Sequence, residues 1–258
     1  MNNNHLNKEE IAQMYNEMHE IWPDDDKWYS YTHNCIVKYI NSQKELMNLS
    51  DESLILNLGS GGNEYNINGI HYHVDIAEEK IKHCKNFIVS SAENTPFNDN
   101  FFDGGICVGS VINYCDPFAV ISEISRTLKK GGYFIIDFEQ SESWQFYGQK
   151  EYKSEATIIH SFNSGYEDKI WVFSYSYIVG ILKTYSLKII NVERFHLLSP
   201  LLYRYTKDEN KSAKFAKFDS FLKCLPCIRN KSCNIILTVQ KVYRTLANFN
   251  YFCCFRIR

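Results

Sequence analysis

The sequence has no apolar run near the length of about 18 residues that a membrane-spanning helix requires. Its first residues, Met1 to His5, lack the positively charged and then apolar pattern of a secretory signal peptide. The 28 basic and 30 acidic residues leave a net charge of −2, without the basic excess of most nucleic-acid-binding domains. The sequence therefore predicts a cytoplasmic protein, and it favours neither a membrane-spanning nor a nucleic-acid-binding one.

The nine cysteines are odd in number and irregularly spaced, which is not typical of a disulfide framework. Four are typical of small, half-buried thiols: Cys35, Cys84, Cys107 and Cys115. Cys224 and Cys227 have C-x-x-C spacing and Cys233 follows, but a structural zinc site needs four ligands. Cys253 and Cys254 could complete it, but the sequence contains no second C-x-x-C, so we expect no metal site.

Short apolar runs alternate with helical or polar segments along most of the 258 residues. Runs typical of strands cover 54–58, 71–75, 86–89, 105–108, 133–138, 187–195 and 234–239. Helical spacing appears in 9–20, after Asp26 and in 118–128. This α/β pattern predicts a mostly parallel, seven-stranded sheet with helices on both faces.

The same pattern suggests how the chain is divided. We expect an N-terminal helical lid over 1–50, the main domain over 51–242 and a tail over 243–258. Within the main domain, 140–176 reads as an insertion with a hairpin around Asn163–Tyr166, and 197–232 as a helical cap segment.

A glycine turn, Gly59-Ser60-Gly61-Gly62, follows the first predicted strand, and Asp75 ends the second, sixteen positions after Gly59. Glycine lets the backbone approach a ligand closely, and such turns bind nucleotide-like ligands at the carboxyl edge of a parallel sheet. An acid at the end of the next strand can accept both hydroxyls of a ribose. By themselves, the turn could be an ordinary loop and Asp75 a helix N-cap.

Five motifs occur in one order between Leu54 and Glu139: the glycine turn, the strand-ending acid Asp75, Ala92-Glu93-Asn94-Thr95-Pro96-Phe97, Phe102-Asp103, and Leu128 to Gly132. In this order they resemble the class I S-adenosylmethionine-dependent methyltransferases, in particular the broad small-molecule group. The resemblance implies a Rossmann-like fold and S-adenosylmethionine as cofactor.

The resemblance also implies roles for individual residues. Gly59, Ser60 and Gly61 would approach the methionine part of the cofactor, and Asp75 would hold its ribose. Ile76 would pack against the adenine, with the Ala92 amide and Glu93 beside it. Cys107 and Gly109, at the end of the fourth strand, would lie next to the sulfonium and the amino group.

Three residues depart from the family pattern: Asn57 replaces an acid, Asn63 a third glycine, and Ser91 another acid. The stretch from Gly62 to His71 is also too short for the long helix that usually follows the glycines. We therefore expect a tight excursion there and no helix-dipole contribution to cofactor binding.

The acceptor site is expected beside the fourth strand and under two aromatic segments, 28–33 and 143–147. Tyr29 and Tyr31 on the first of these, and Asn113 and Tyr114 after the fourth strand, are the candidate substrate-binding residues. We identify no general base, because His33 and His71 are candidates by residue type alone.

The segment 207–231 carries seven basic and three acidic residues. Its apolar residues fall on one face of a predicted helix: Phe215, Phe218, Phe221, Leu222 and Leu225. Such a helix either covers the core with its lysines in water or lies weakly on an anionic membrane surface.

We expect an enzyme that transfers a methyl group from S-adenosylmethionine to a small-molecule acceptor by in-line displacement. Two alternatives remain: a regulatory protein that binds the cofactor without turnover, and methylation of a protein, RNA or lipid. The sequence does not predict the oligomeric state.

Overall fold

The fold is built on a seven-stranded sheet, as a computed structural model of the chain shows for residues 6–163 and 166–243. The strands follow the order β3-β2-β1-β4-β5-β9-β8, and β9 alone runs antiparallel to its two neighbours. Their bounds are β1 Leu54–Leu58, β2 Ile70–Asp75, β3 Phe87–Val89, β4 Phe102–Cys107, β5 Leu128–Glu139, β8 Leu187–Phe195 and β9 Asn234–Lys241. The predicted seven-stranded, mostly parallel sheet is therefore confirmed.

Side chains alternate between the two faces of the central strands, and each face carries its own apolar core. On β5, Ile135 faces the core that α2 (Lys27–Met47) covers, whereas Phe134 and Ile136 face α4 (Pro117–Thr127) and α5 (Tyr175–Thr184). Helices thus cover both faces, as predicted.

The N-terminal fifty residues do not act as one unit. The side chains of Ile36, Tyr39 and Ile40 on α2 are buried against the sheet, so α2 is part of the main core. Asp26 caps this helix through the amides of Trp28 and Tyr29. α1 (Lys8–Glu17), residues 18–26 and the first turn of α2 lie over the carboxyl edge of the sheet.

Strand β4 starts earlier in the chain than its apolar run suggested. β4 begins at Phe102 and contains Gly104 and Gly105, which are poor strand formers. The ring of Phe134 lies so close to Gly105 that a Cβ there would stand 2.3 Å from it. Glycine at 105 therefore leaves room for this ring, in a strand that residue propensity alone would not predict.

The insertion forms a separate two-stranded antiparallel sheet, β6 (Ala156–Asn163) and β7 (Tyr166–Phe173). The Ser141 amide donates to the Phe173 carbonyl at 2.9 Å, which ties the hairpin to the end of β5. The hairpin therefore stands over the same sheet edge as α1.

The prediction of a single amphipathic helix within 207–231 is wrong. After α6 (Ser199–Thr206) the chain forms only short turns: α7 (Glu209–Ala213), a 3₁₀ turn at Ala216–Phe218, α8 (Asp219–Leu222), α9 (Pro226–Arg229). Asp219 is 1% exposed and accepts the amides of Leu197 and Leu198, which anchors the segment where a regular helix would continue. Phe215, Phe218 and Phe221 remain exposed on this surface.

No helix in the described part of the chain is long and apolar enough to cross a membrane. The described 3₁₀ turns also include Val111–Tyr114 after β4 and Trp144–Phe146 after β5, and the short helix α3 (Glu78–Ile81) follows β2. The tail that was predicted over 243–258 lies outside the described residues, apart from Tyr243.

Candidate active site

A cavity opens at the carboxyl ends of β1, β2 and β4, with about 940 Å³ of space, part of it continuous with solvent. We call it the first cavity. The chain crosses from one half of the sheet to the other between β1 and β4, and open α/β sheets bind ligands at such a switch point. Its lining comes from 59–61, 75–77, 90–92, Val108, Gly109, Val111 and the N-terminal residues Lys8, Ile11, Tyr15, Ile21, Trp22 and Tyr29, among others.

The glycine turn is held against β2 by its own backbone. The amides of Gly59 and Ser60 both donate to the Val74 carbonyl, at 2.7 and 3.2 Å. Gly59 has a φ of 63° and Gly61 of 52°, in the left-handed region that side chains disfavour. A Cβ on Gly59 would stand 2.4 Å from the Val111 methyl groups, so only glycine fits there.

Asn57, which replaces the usual acid, has a structural partner in the loop. Its amide donates to the Asn63 carbonyl at 3.0 Å, and the side chain is 1% exposed. Residues 62–69 form no helix and bury Tyr65 and Ile67 against the α2 core. The predicted tight excursion is therefore observed, and the Asn57 contact helps to hold it down.

Asp75 lies at the cavity wall with both carboxylate oxygens aligned by backbone amides. Oδ2 accepts from Gly61 at 2.8 Å and Oδ1 from Ala77 at 2.9 Å. Each oxygen keeps a further lone pair for a donor such as a ribose hydroxyl. Burial raises the pKa of Asp75, although these amides favour its charged form. The glycine turn and this carboxylate together fit a nucleoside cofactor.

Of the Ala92-Glu93 pair, only Ala92 lines the cavity. Glu93 accepts from the Lys8 ammonium and, at 2.9 Å, from the Asp116 amide. Lys8 also donates to the Ser91 hydroxyl at 3.1 Å. The structure thus places Glu93 as the residue that fixes α1 to the sheet edge, away from the expected adenine position, and it adds Lys8 and Ser91 to the cavity wall.

Cys107 does not reach the cavity, because its side chain is fully buried in the core that α4 and α5 cover. Gly109 does line it, at a φ of 90°, with a hypothetical Cβ 3.3 Å from Trp22. The turn at 109–110 is held by Asp137, whose Oδ1 accepts the Ser110 amide at 2.9 Å. Burial raises the pKa of Asp137 to about 7.

Residues 15–22 close the first cavity from above. The Lys80 ammonium donates to the Met18 carbonyl, and the Asn16 side chain accepts the Glu79 amide at 3.0 Å. Trp22 stacks on His33 with ring centroids 5.1 Å apart. This segment is the part of the predicted lid that covers the cavity.

A second cavity, with about 1230 Å³ of space, adjoins the first. The two share Tyr15, Trp22, Tyr29, Gly109 and Tyr114 in their walls. Three acids line the second cavity: Glu139, Asp168 and Glu209. The rest of its wall comes from α2, the sheet, the hairpin and the segments after β4, β5 and β8: Trp28, Thr32, Ser110, 145–146, 149, Ile159, His160, Ile170, Tyr203, Arg204, Lys207, Cys233 and Asn234. Both aromatic segments predicted to cover the acceptor contribute to this wall.

The four predicted substrate-binding residues separate into two groups. Tyr29 and Tyr114 line both cavities, and the Tyr114 hydroxyl receives a hydrogen bond from Tyr15 at 3.2 Å and donates one to Asp168. Burial raises the pKa of both tyrosines well above the usual value.

Tyr31 and Asn113 are not available to a substrate here. The Tyr31 hydroxyl donates to Asp219 at 3.1 Å, in a separate cavity beside the cap segment. Asn113 is fully buried: its amide nitrogen donates to the Glu139 and Trp171 carbonyls, and its oxygen accepts the Glu139 amide. The sequence did not reveal these directions, because Asn113 lies in a 3₁₀ turn and Tyr31 lies on a helix whose partner, the cap segment, is distant in sequence.

Glu139 is the site residue that the sequence missed most clearly. It ends β5 and faces the second cavity, where burial and then the charge of Asp137 raise its pKa to about 7. A group with such a pKa suits proton transfer near neutral pH. An acid in the apolar run of a central strand was the signal that could have indicated it.

The two candidate histidines lie outside both cavities. His71 bonds the Ile67 carbonyl at 2.8 Å, and His33 stacks on Trp22, where burial lowers its pKa. Residues 6–163 and 166–243 contain no group of three or more His, Cys, Asp or Glu that could hold a metal. Cys224 is exposed, Cys233 is buried, and Cys253 and Cys254 lie outside the described residues.

Comparisons with known proteins find methyltransferases in sequence and in fold. Residues 52–136 match a family model described as a methyltransferase domain. An uncharacterized protein of Methanocaldococcus jannaschii is 30% identical over 138 residues, 51% of this chain and 53% of that protein. The chain therefore spans about half the length of the curated relative it matches.

Solved structures share the fold at low identity. Geranyl diphosphate C-methyltransferase of Streptomyces coelicolor A3(2), solved with Mg²⁺, geranyl diphosphate and S-adenosyl-L-homocysteine, has a TM-score of 0.56 and 13% identity, covering 91% of this chain and 98% of that one. A methyltransferase of Methanosarcina mazei has a TM-score of 0.52 and 16% identity, with 79% and 97% covered. The cyclase SpnF has a TM-score of 0.57 and 15% identity, with 92% and 98% covered.

The fold is that of the Rossmann-like, class I methyltransferases, and residues 52–136 resemble their methyltransferase domain. The matching family model lies on residues 52–136, so the resemblance predicted from the five motifs is confirmed. S-adenosylmethionine is the cofactor of this class.

Proposed function

We propose that this protein transfers a methyl group from S-adenosylmethionine to a small-molecule acceptor held in the second cavity. The observation that carries the proposal is the shared wall of the two cavities at Gly109 and Tyr114. A methyl donor in one cavity and an acceptor in the other would meet at this wall, under the cover of Tyr15 and Trp22.

We assign the first cavity to the cofactor. Asp75 holds the ribose, Ile76 and Ala92 contact the adenine, and the backbone of 59–61 and Gly109 approach the methionine part. Bound S-adenosylmethionine supplies a methyl group already activated by its positive sulfur. The protein therefore has to position the acceptor in line and exclude water, effects worth on the order of 7–11 kcal/mol at best.

A small acceptor is favoured over a nucleic acid by the charge of the second cavity. The acids Glu139, Asp168 and Glu209 line it beside two basic residues, Arg204 and Lys207, so its wall has no excess of basic residues to attract a phosphate backbone. Its aromatic walls, Trp28 and Tyr203 among them, suit a compact apolar body.

Calorimetric titration with S-adenosylhomocysteine tests the cofactor assignment. We expect binding by the wild type and a loss of at least about tenfold in Asp75→Asn, equivalent to about 1.4 kcal/mol, because the amide replaces one ribose acceptor by a donor. Asp51→Asn, on the exposed loop before β1, is the matched control and should bind like the wild type. A wild type that does not bind, or undiminished binding in Asp75→Asn, refutes the assignment.

Turnover separates an enzyme from a cofactor-binding regulator. Transfer of tritium-labelled methyl to small molecules of a metabolite extract is the expected result. Label that appears only in protein, RNA or lipid fractions, or in none, contradicts the proposal.

A further inference from the structure

Three acids and one buried side-chain amide line the second cavity. Its acids Glu139, Asp168 and Glu209 make no ion pair with a Lys or Arg among the described residues. Asn234 is 2% exposed, and its Oδ1 has no hydrogen-bond partner. A buried acceptor without a donor is costly, so this wall is complementary to a ligand rich in donors.

The carboxyl groups also raise one another's pKa. Burial is the larger cause for Glu139, and the charges of Asp137 and Asp168 add to it, which raises its pKa to about 7. Burial is also the larger cause for Glu209, and the charges of Asp26, Glu139 and Asp208 add to it, which raises its pKa to about 7. A cation bound among them would relieve both the desolvation and the repulsion.

The basic groups around this cavity do not supply that cation. The Arg204 guanidinium donates to the Tyr147 carbonyl. Lys207 is exposed, with its ammonium 5.8 Å from the centre of the Tyr203 ring, and His160 is exposed beside Glu167. Arg204 and Lys207 therefore line the cavity without forming an ion pair to Glu139, Asp168 or Glu209.

Aromatic rings complete the wall. Trp28 and Tyr203 have ring centroids 6.1 Å apart, and Tyr29 stands between the two cavities. Faces of such rings attract ammonium groups as well as apolar bodies.

We propose that the acceptor is a primary or secondary amine, bound as its ammonium form in the second cavity by Glu139 and Asn234, and that Glu139 takes its proton before the nitrogen is methylated. The inference rests on the proposed function and narrows its substrate class. Glu139 acts as general base, and the Asn113 side chain holds its backbone in place through bonds of 3.1 and 3.0 Å.

The step balances with one proton transfer and one methyl transfer. The ammonium gives a proton to the Glu139 carboxylate, and the neutral nitrogen keeps its lone pair. The nitrogen forms the new N–C bond as the carbon–sulfur bond breaks, with that electron pair left on sulfur. The methylated ammonium leaves with the positive charge, and Glu139 returns its proton to water.

Binding measured without turnover tests the amine. Benzylamine, phenethylamine and cyclohexylamine, each paired with the alcohol of the same carbon skeleton, are titrated by calorimetry into protein saturated with S-adenosylhomocysteine. We expect at least one amine to bind ten times more tightly than its alcohol. Equal binding within all three pairs, or no binding by any amine, overturns the inference.

Variants then localise the site. Glu139→Gln should weaken the best amine at least tenfold, with the affinities for its alcohol and for S-adenosylhomocysteine within twofold of the wild type. Glu45→Gln, on an exposed face of α2, is the matched control and should change none of them. Unchanged amine affinity in a folded Glu139→Gln protein overturns the assignment.

The pH profile gives an independent readout. For a preferred amine, kcat/KM should rise through about pH 7 as Glu139 ionises, and this limb should disappear in Glu139→Gln. If S-adenosylhomocysteine binds and methyl is transferred only to neutral acceptors, the inference fails while the proposed function stands. If S-adenosylhomocysteine does not bind, the proposed function itself fails.

Discussion

Replacing Gly59 by Ala tests the glycine turn that forms the floor of the first cavity. The backbone φ of 63° costs a residue with a Cβ about 1–2 kcal/mol. The new methyl would also stand 2.4 Å from both Val111 methyl groups and 2.9 Å from its Cβ, an overpacking that costs about 1–3 kcal/mol. We therefore expect a loss of about 2–5 kcal/mol in the free energy of unfolding, measured in urea.

Gly131→Ala separates the cost of backbone strain from the cost of the steric clash with Val111. Gly131 has a φ of 83°, but a Cβ there would meet no atom within 4 Å, so this variant should show the strain alone. Any gain from a less flexible unfolded chain is common to both variants and cancels between them. Gly59→Ala should also weaken S-adenosylhomocysteine at least tenfold, whereas Gly131→Ala should not. Equal stabilities and equal affinities in the two variants would refute the reasoning.

Two further predictions concern buried polar groups. Burial raises the pKa of Asp137 to about 7, so between about pH 4 and pH 7 the folded protein holds a proton that the unfolded chain has released. The free-energy cost of burying Asp137 therefore grows as the pH rises through this window. Asp137→Asn removes this cost, so it should stabilise the protein more at about pH 8 than at about pH 5, as measured by urea unfolding. A smaller gain at the higher pH would contradict the sign. Asn113→Ala should lose about 2–5 kcal/mol of unfolding free energy, because it leaves buried groups of Glu139 and Trp171 without partners, whereas the exposed Asn66→Ala should lose almost nothing. Similar unfolding midpoints for these two variants would contradict the role given to Asn113.

Most of the sheet was predictable because buried parallel strands leave contiguous apolar runs. The exceptions have local causes. The start of β4 was missed because Gly104 and Gly105 are poor strand formers, whereas in the sheet Gly105 leaves room for the Phe134 ring. The helix expected within 207–231 breaks because buried Asp219 binds the backbone at Leu197 and Leu198.

Some residues of the candidate site were likewise predictable from the sequence, and others were not. Asp75 and Ala92 were predictable because both follow a strand and lie at its carboxyl end, where the path of the chain determines their place. Cys107 follows the same rule in sequence, but alternation along β4 points its side chain into the core. Tyr31 lies on the same helix as Tyr29, yet its hydroxyl bonds Asp219 on the cap segment.

The sequence alone indicated the class of the protein, because its succession of apolar runs, its glycine turn and the acid that ends β2 are local features that can be recognised along one stretch of chain. The tertiary structure decided the second cavity. Glu139 comes from β5, Asp168 from the hairpin and Glu209 from the cap segment, which are 29 and 70 positions beyond Glu139 in sequence. Their shared surroundings depend on how three separate elements pack around one sheet edge, and no periodicity within any one of them carries that information.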